Sequence, residues 1–218
     1  MKTILSTKKL SLAQKERLLN AKLAVVDFDF IDTKTIAFQT PQQTIKNAIF
    51  TSKNGVNAVF SKNIEIENCF CVGQRTEQLL KEKKQNVIYS ASNAEELGKH
   101  ITTTENSTKS YYYFCAEKRL DTLPNKLTEQ NIKWTETPVY KTVWTPKKYT
   151  QEFNGVLFFS PSGVESYFSI NKTPSHSFCI GNTTAKALHK YTQNYTVATK
   201  PSVENVLIKA IKHFNSHD

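Results

Sequence analysis

The 218-residue sequence predicts an α/β fold of two similar parallel-sheet domains, one inserted in the other. Three observations carry that expectation. The first is a repeat that keeps its spacing. Phe50-Thr51-Ser52-Lys53-Asn54-Gly55-Val56 returns as Phe158-Phe159-Ser160-Pro161-Ser162-Gly163-Val164, and Cys71-Val72-Gly73-Gln74-Arg75-Thr76 returns as Cys179-Ile180-Gly181-Asn182-Thr183-Thr184, each 108 residues later. Four of the six glycines lie in these segments, which points to a duplicated unit with a ligand held between the copies. The second is the alternation of short apolar runs with segments of helical period, the pattern of parallel sheets whose crossovers are helices. The third is the order of the parts, which makes one domain an insertion.

Lys2 to Ser6, Leu10 to Leu19 and Leu23 to Phe28 read as strand, helix and strand. After a crossing near residues 30 to 33, Ala48 to Thr51 is a strand and a helix begins at Gly55 and reaches Ser61. Asn68 to Val72 and Thr76 to Lys83 give the next strand and helix, followed by Val87 to Tyr89 and Ala94 to Ile101. Thr102 to Ser110 is rich in Thr and Ser and reads as an exposed loop. Tyr111 to Cys115, Arg119 to Thr128 and Lys133 to Tyr140 repeat the strand-helix-strand pattern of the N-terminus. Beyond a second crossing near residues 140 to 145, strands at 156 to 159, 177 to 180 and 195 to 198 alternate with helices from Gly163, at 183 to 191 and at 203 to 214. One strand-helix-strand unit precedes its partner and the other follows, so residues 1–32 with 146–218 form a discontinuous domain and 34–140 the inserted one. Two parallel crossings make a hinge that can close but cannot drift far.

Hydrophobic content of 39% supports ordinary cores, and no apolar run approaches the roughly 20 residues of a membrane span. The first residues lack the apolar core of a secretory signal, so a cytoplasmic monomer without membrane attachment is expected. Cys69, Cys71, Cys115 and Cys179 sit in apolar runs with no CxxC pair and read as reduced core thiols. The net charge of +10 admits an anionic partner, but the lysines are scattered, without the basic tract and interleaved aromatics of a nucleic-acid surface. No nucleic-acid partner is expected.

The repeats place Thr51, Ser52, Asn54, Ser160 and Ser162 immediately after strands and before helices, where they can cap the helix or donate to an anionic ligand. Gly73-Gln74-Arg75-Thr76 and Gly181-Asn182-Thr183-Thr184 form a second pair of strand-to-helix turns, in which glycine permits positive φ or close approach of a ligand. Neither pair is a P-loop or a GxGxxG fingerprint, and HExxH, GxSxG and Cys/His clusters are missing, so no cofactor and no metal are expected. The five histidines lie mostly in polar or helical surface contexts, and no acidic residues pair near the turns. Neutral donors, backbone amides and a phenol remain; Tyr140, where the chain crosses back, can face a cleft between the domains.

In order along the chain, Ile49-Phe50-Thr51-Ser52, Val72-Gly73-Gln74-Arg75-Thr76, Pro138-Val139-Tyr140-Lys141-Thr142, Phe158-Phe159-Ser160-Pro161-Ser162-Gly163-Val164 and Ile180-Gly181-Asn182-Thr183-Thr184-Ala185-Lys186-Ala187-Leu188 resemble uroporphyrinogen-III synthase, a cofactor-independent family. The resemblance implies two α/β domains joined by a two-stranded hinge with the active site in the cleft. It implies hydroxymethylbilane, a linear tetrapyrrole polycarboxylate, as substrate, cyclised with loss of water and inversion of ring D through a spiro-pyrrolenine. It makes Tyr140 the candidate general acid and Ser52, Gly73, Thr76, Ser160, Ser162, Thr183 and Thr184 candidate substrate-binding residues. Gln74-Arg75 departs from the smaller residues often found there, and His176 stands where a lysine can occur, which puts charge pairing there in question. The competing reading is a non-catalytic two-domain protein that binds a small anion.

Overall fold

A computed structural model describes residues 1–40, 44–62, 64–104 and 109–215. In chain order its elements are β1 (Lys2–Ser6), α1 (Leu12–Asn20), β2 (Leu23–Asp27), β3 (Ile31–Thr35), β4 (Thr44–Phe50), α2 (Lys53–Val59), β5 (Glu65–Val72), α3 (Gln74–Glu82), β6 (Val87–Ala91) and α4 (Ala94–Thr104). There follow β7 (Ser110–Ala116), α5 (Thr122–Glu129), β8 (Lys133–Trp144), β9 (Gly155–Phe158), α6 (Pro161–Phe168), β10 (Ser177–Cys179), α7 (Asn182–Leu188), β11 (Tyr195–Val197) and α8 (Val203–Asn215). The backbone contacts divide the chain into two compact units, Met1–Asp32 with Val143–Asp218, and Thr33–Thr142.

The first unit holds a sheet of order β11-β10-β9-β1-β2, parallel at every pairing. Its central strand β9 is buried along its whole length, as a strand covered on both faces must be. Successive side chains take opposite faces: Leu5, Val156 and Phe158 pack with Val164 and Leu188, while Ile4 and Leu157 pack with Leu207 and Ala210. Ser11 starts α1 with a reciprocal capping box to Gln14.

The second unit holds a sheet of order β3-β8-β7-β4-β5-β6, parallel at every pairing from β8 to β6. Ala48, Phe50, Cys69, Cys71 and Phe114 face one core, and Ile49, Phe70, Tyr113 and Cys115 the other. All four cysteines are free and buried.

The 108-residue repeat is a repeat of register. Phe50 lies opposite Cys71 across β4 and β5, and Phe158 lies opposite Cys179 across β9 and β10. The first sheet's order β11-β10-β9-β1-β2 matches β6-β5-β4-β7-β8 strand for strand, and β3 is the addition. Gly55 and Gly163 occupy the same position of their helices but are crowded by different neighbours. A β-carbon on Gly55 would come 3.2 Å from the Phe114 carbonyl of the neighbouring strand, and one on Gly163 would come 3.2 Å from Ser160 Oγ and 3.6 Å from Thr7 Oγ1.

Several expected boundaries move. The first crossing, near residues 30 to 33, runs into an additional strand, β3, and the second is the continuation of β8 to Trp144. The helix expected from Arg119 starts at Thr122, leaving Arg119 in the connection after β7. Of the loop expected over Thr102 to Ser110, residues 102 to 104 finish α4 and Ser110 opens β7; residues 105–108 lie outside the described residues, as does His217. His176 is not a surface residue in isolation: its ring stacks on His213 at 4.1 Å, and its Nε2 lies 2.9 Å from Thr196 Oγ1.

Candidate active site

In a parallel sheet the turns that leave the strands share the carboxyl edge, and register fixes how they line up. In the second unit, Ser52 and Gly73 each lie two residues past the paired Phe50 and Cys71. Phe50 also pairs with Phe114, and Ala116 pairs with Tyr140. Gly73, Ser52, Ala116 and Tyr140 therefore succeed one another across β5, β4, β7 and β8. At about 4.8 Å between neighbouring strands, the Tyr140 backbone is roughly 10 Å from that of Ser52.

Ser52 has extended backbone and caps α2 by accepting from the Asn54 N–H at 3.2 Å. Gly73 precedes α3 with φ 88°, a conformation that favours glycine, and no atom lies within 4 Å of where its β-carbon would stand. Its carbonyl accepts from the Thr76 N–H at 2.9 Å, and Thr76 is buried in the first turn of α3. Tyr140 is half-buried against the core that contains Phe50 and Phe114, and its carbonyl accepts from the Glu117 N–H at 2.9 Å.

The same edge holds a second phenol that sequence reasoning passed over. Tyr113 is buried with its hydroxyl 3.1 Å from Thr51 Oγ1. Burial pushes its ionisation up, the Thr51 hydrogen bond opposes this, and Tyr140 is near enough to add to the rise. Tyr113 lies inside an apolar run, where no motif marks it.

In the first unit, Ser160 caps α6 by accepting from the Gly163 N–H at 3.0 Å. Ser162, half-buried in the first turn, is not the cap. Gly181 precedes α7 with φ 177°, extended backbone open to any residue, so glycine is not required there by conformation. A β-carbon at Gly181 would meet nothing within 4 Å. Thr183 is exposed, whereas Thr184 is 1% exposed and its buried hydroxyl has no hydrogen-bond partner among the described residues. A buried hydroxyl left without a partner costs stability, and such groups need a reason.

Each unit thus brings its own candidates to its own carboxyl edge: Ser52, Gly73, Thr76 and Tyr140 in one, Ser160, Ser162, Gly181, Thr183 and Thr184 in the other. The edges offer hydroxyls, amides and the phenols of Tyr140 and Tyr113. Burial pushes the ionisation of all four thiols up, Cys69 and Cys115 to about 12 and Cys179 to about 11, which disfavours the thiolate a nucleophile needs at neutral pH. Among the described residues no three or more His, Cys, Asp and Glu side chains gather as a metal site, and no helix is long and apolar enough to cross a membrane. An open pocket beside Tyr149 and Tyr167 is lined by segments that enter β9 and β10, at the amino end of that sheet, and is separate from these turns.

A family model described as uroporphyrinogen-III synthase HemD matches residues 21–207. Porphyrin biosynthesis protein HemD of Ruminiclostridium josui is 31% identical over 104 residues, covering 42% of this chain and 21% of that protein, so this chain spans about a fifth of that relative. Among solved structures, uroporphyrinogen-III synthetase from Helicobacter pylori 26695 superposes with a TM-score of 0.73 at 20% identity, covering 98% of this chain and 100% of the other. A mutant uroporphyrinogen III synthase from the extremely thermophilic bacterium Thermus thermophilus superposes with a TM-score of 0.60 at 14% identity and full coverage of both chains. At these identities the superpositions establish a shared fold.

Proposed function

The chain belongs to the uroporphyrinogen-III synthase family, and from that premise we propose that it cyclises hydroxymethylbilane to uroporphyrinogen III with loss of water. The observation that carries the reading is the duplicated carboxyl edge, Ser52 beside Gly73 in one register and Ser160 beside Gly181 in the same register of the other unit. A polycarboxylate offers many acceptors, and each edge supplies hydroxyls and amides of the kind that receive them.

Ring A loses its hydroxyl, ring D is attacked at its substituted carbon, and the spiro-pyrrolenine so formed fragments and recombines with ring D inverted. The linear bilane also closes unaided, to the uninverted isomer. The protein's task is therefore one of pose, holding the two ends where the spiro route is the near one. Departure of hydroxide needs a proton, and Tyr140 is assigned as its donor. Ser52, Ser160 and Ser162, the Gly73 and Gly181 turns, Thr76, Thr183 and Thr184 hold carboxylates and pyrrole ends.

Bilane consumption separates this from the binding-protein reading. With catalytic amounts of protein, the bilane disappears faster than in buffer. A protein that only binds it leaves the rate unchanged at catalytic amounts and slows closure at equimolar amounts.

A further inference from the structure

β8 carries Pro138 in its interior, and a proline has no N–H to give the ladder. There the pairing with β7 slips: Cys115 lies opposite Pro138, but Ala116 lies opposite Tyr140, leaving Val139 as the extra residue of a bulge. Bulges re-aim side chains. Thr137 and Val139 are buried, and Tyr140 comes out half-buried just past the irregularity.

The turn between β7 and α5 holds the strand on both sides of that bulge. Beyond it, the Glu117 N–H donates to the Tyr140 carbonyl at 2.9 Å. Before it, Arg119 reaches back and forks onto Glu136, with Nε donating to Oε1 at 2.8 Å and Nη2 to Oε2 at 2.7 Å. Nη1 bonds Asp121, and the guanidinium carbon lies 6.0 Å from the centre of the Trp134 ring. The hydrogen bonds to Glu136 push the Arg119 ionisation up, and the guanidinium stays charged. The arginine side chain is only 16% exposed, and each of its three nitrogens already donates within the protein, so it is not free to receive a substrate carboxylate.

The first unit uses a related device once. Asp27 lies opposite Ser6 as Glu136 lies opposite Tyr113, and it accepts from the Leu10 N–H at 2.8 Å and from Lys15 Nζ at 2.9 Å, tying down the turn after β1. An acid on the next strand, β2 in one unit and β8 in the other, that anchors the preceding turn is thus common to both units. In both units the turn also bonds the backbone beyond the acid, Thr7 accepting from the Phe30 N–H at 3.2 Å in the first and Glu117 donating to the Tyr140 carbonyl in the second, and in the second the residue so held carries the candidate phenol.

We propose that Arg119 is a positioning residue for Tyr140: its fork to Glu136 fixes the turn from which Glu117 holds the Tyr140 carbonyl, and so fixes where the phenol is presented. The proposal rests on the reading of Tyr140 as proton donor.

The test is a double-mutant cycle of Arg119→Lys and Tyr140→Phe, measured as kcat and KM for hydroxymethylbilane, together with hydrogen exchange at the Glu117 amide. Lysine keeps the charge and loses the fork. The expected result is a fall in kcat of about tenfold to hundredfold with KM unchanged, since small displacements of a reacting group cost rates of this order. The double variant should be no slower than Tyr140→Phe alone, and the Glu117 amide should exchange at least about tenfold faster in Arg119→Lys while the amides of β4 keep their protection. Multiplying effects, or a raised KM with kcat intact, overturn the proposal. If Tyr140→Phe turns over like the wild type, the acid reading of Tyr140 fails by itself. The exchange result then decides the anchoring: unchanged protection at Glu117 overturns it, and lost protection upholds it.

Discussion

Gly73 and Gly181 occupy the same turn 108 residues apart, yet φ is 88° at the first and 177° at the second. Only the first is a conformation that L side chains resist. Neither position would crowd a β-carbon, so the two differ in backbone strain alone. Gly73→Ala should lower stability by ~1 to 3 kcal/mol, and Gly181→Ala should change it by less than ~0.5 kcal/mol, read from urea midpoints. If the open space at Gly181 is where substrate approaches the backbone, its alanine variant loses turnover while keeping its midpoint.

Tyr140→Phe should lower kcat by ~10² to 10⁴, the range of a positioned general acid. Its stability should change little, because the ring stays packed against the Phe50 and Phe114 core. Near-wild-type turnover and isomer purity would leave the protein a conformational template without a phenolic acid.

Thr184 offers a different separation. Its hydroxyl is buried without a partner among the described residues, so Thr184→Val removes a group that destabilises the free protein. The variant should match or exceed wild-type stability by up to ~1 kcal/mol. If the hydroxyl meets substrate, KM rises in the same variant. A loss of stability would instead show that the hydroxyl is satisfied in the free protein.

His176 gives a pH dependence with a definite sign. Burial lowers its ionisation below the ordinary value, and the stacked His213 lowers it further. The unfolded chain, whose histidine titrates near about 6.5, then binds more protons than the folded one as pH falls through that value. The stabilising contribution is present above that pH and is lost below it. Urea midpoints should fall between about pH 7.5 and about pH 5.5, and His176→Phe should flatten part of that fall. A midpoint that rises on acidification would contradict the assignment.

The duplicated unit was legible because its signal is a constant offset, and the register keeps it: Phe50 opposite Cys71, Phe158 opposite Cys179. The helices start at Lys53 and Gln74, two residues before the expected Gly55 and Thr76, because the caps Ser52 and Gly73 follow the strand ends Phe50 and Val72 so closely that the polar turn residues already belong to the helix. β3 was not legible. Ile31-Asp32-Thr33-Lys34-Thr35 is polar and mostly exposed, and an outer strand with little to bury has no apolar alternation to announce it. The Arg119 to Glu136 fork spans 17 residues and joins a loop to a strand, a pairing that no local spacing rule encodes. The Thr51 and Tyr113 pair is likewise a product of β4 lying beside β7.

The most direct test of the central claim is the isomer composition of the product formed from hydroxymethylbilane by purified, chelator-treated protein, followed as the protein concentration is raised. The account predicts that uroporphyrinogen III replaces the uninverted isomer in proportion to the protein added, until it is nearly the whole product. A product that stays the uninverted isomer at every protein concentration would contradict it.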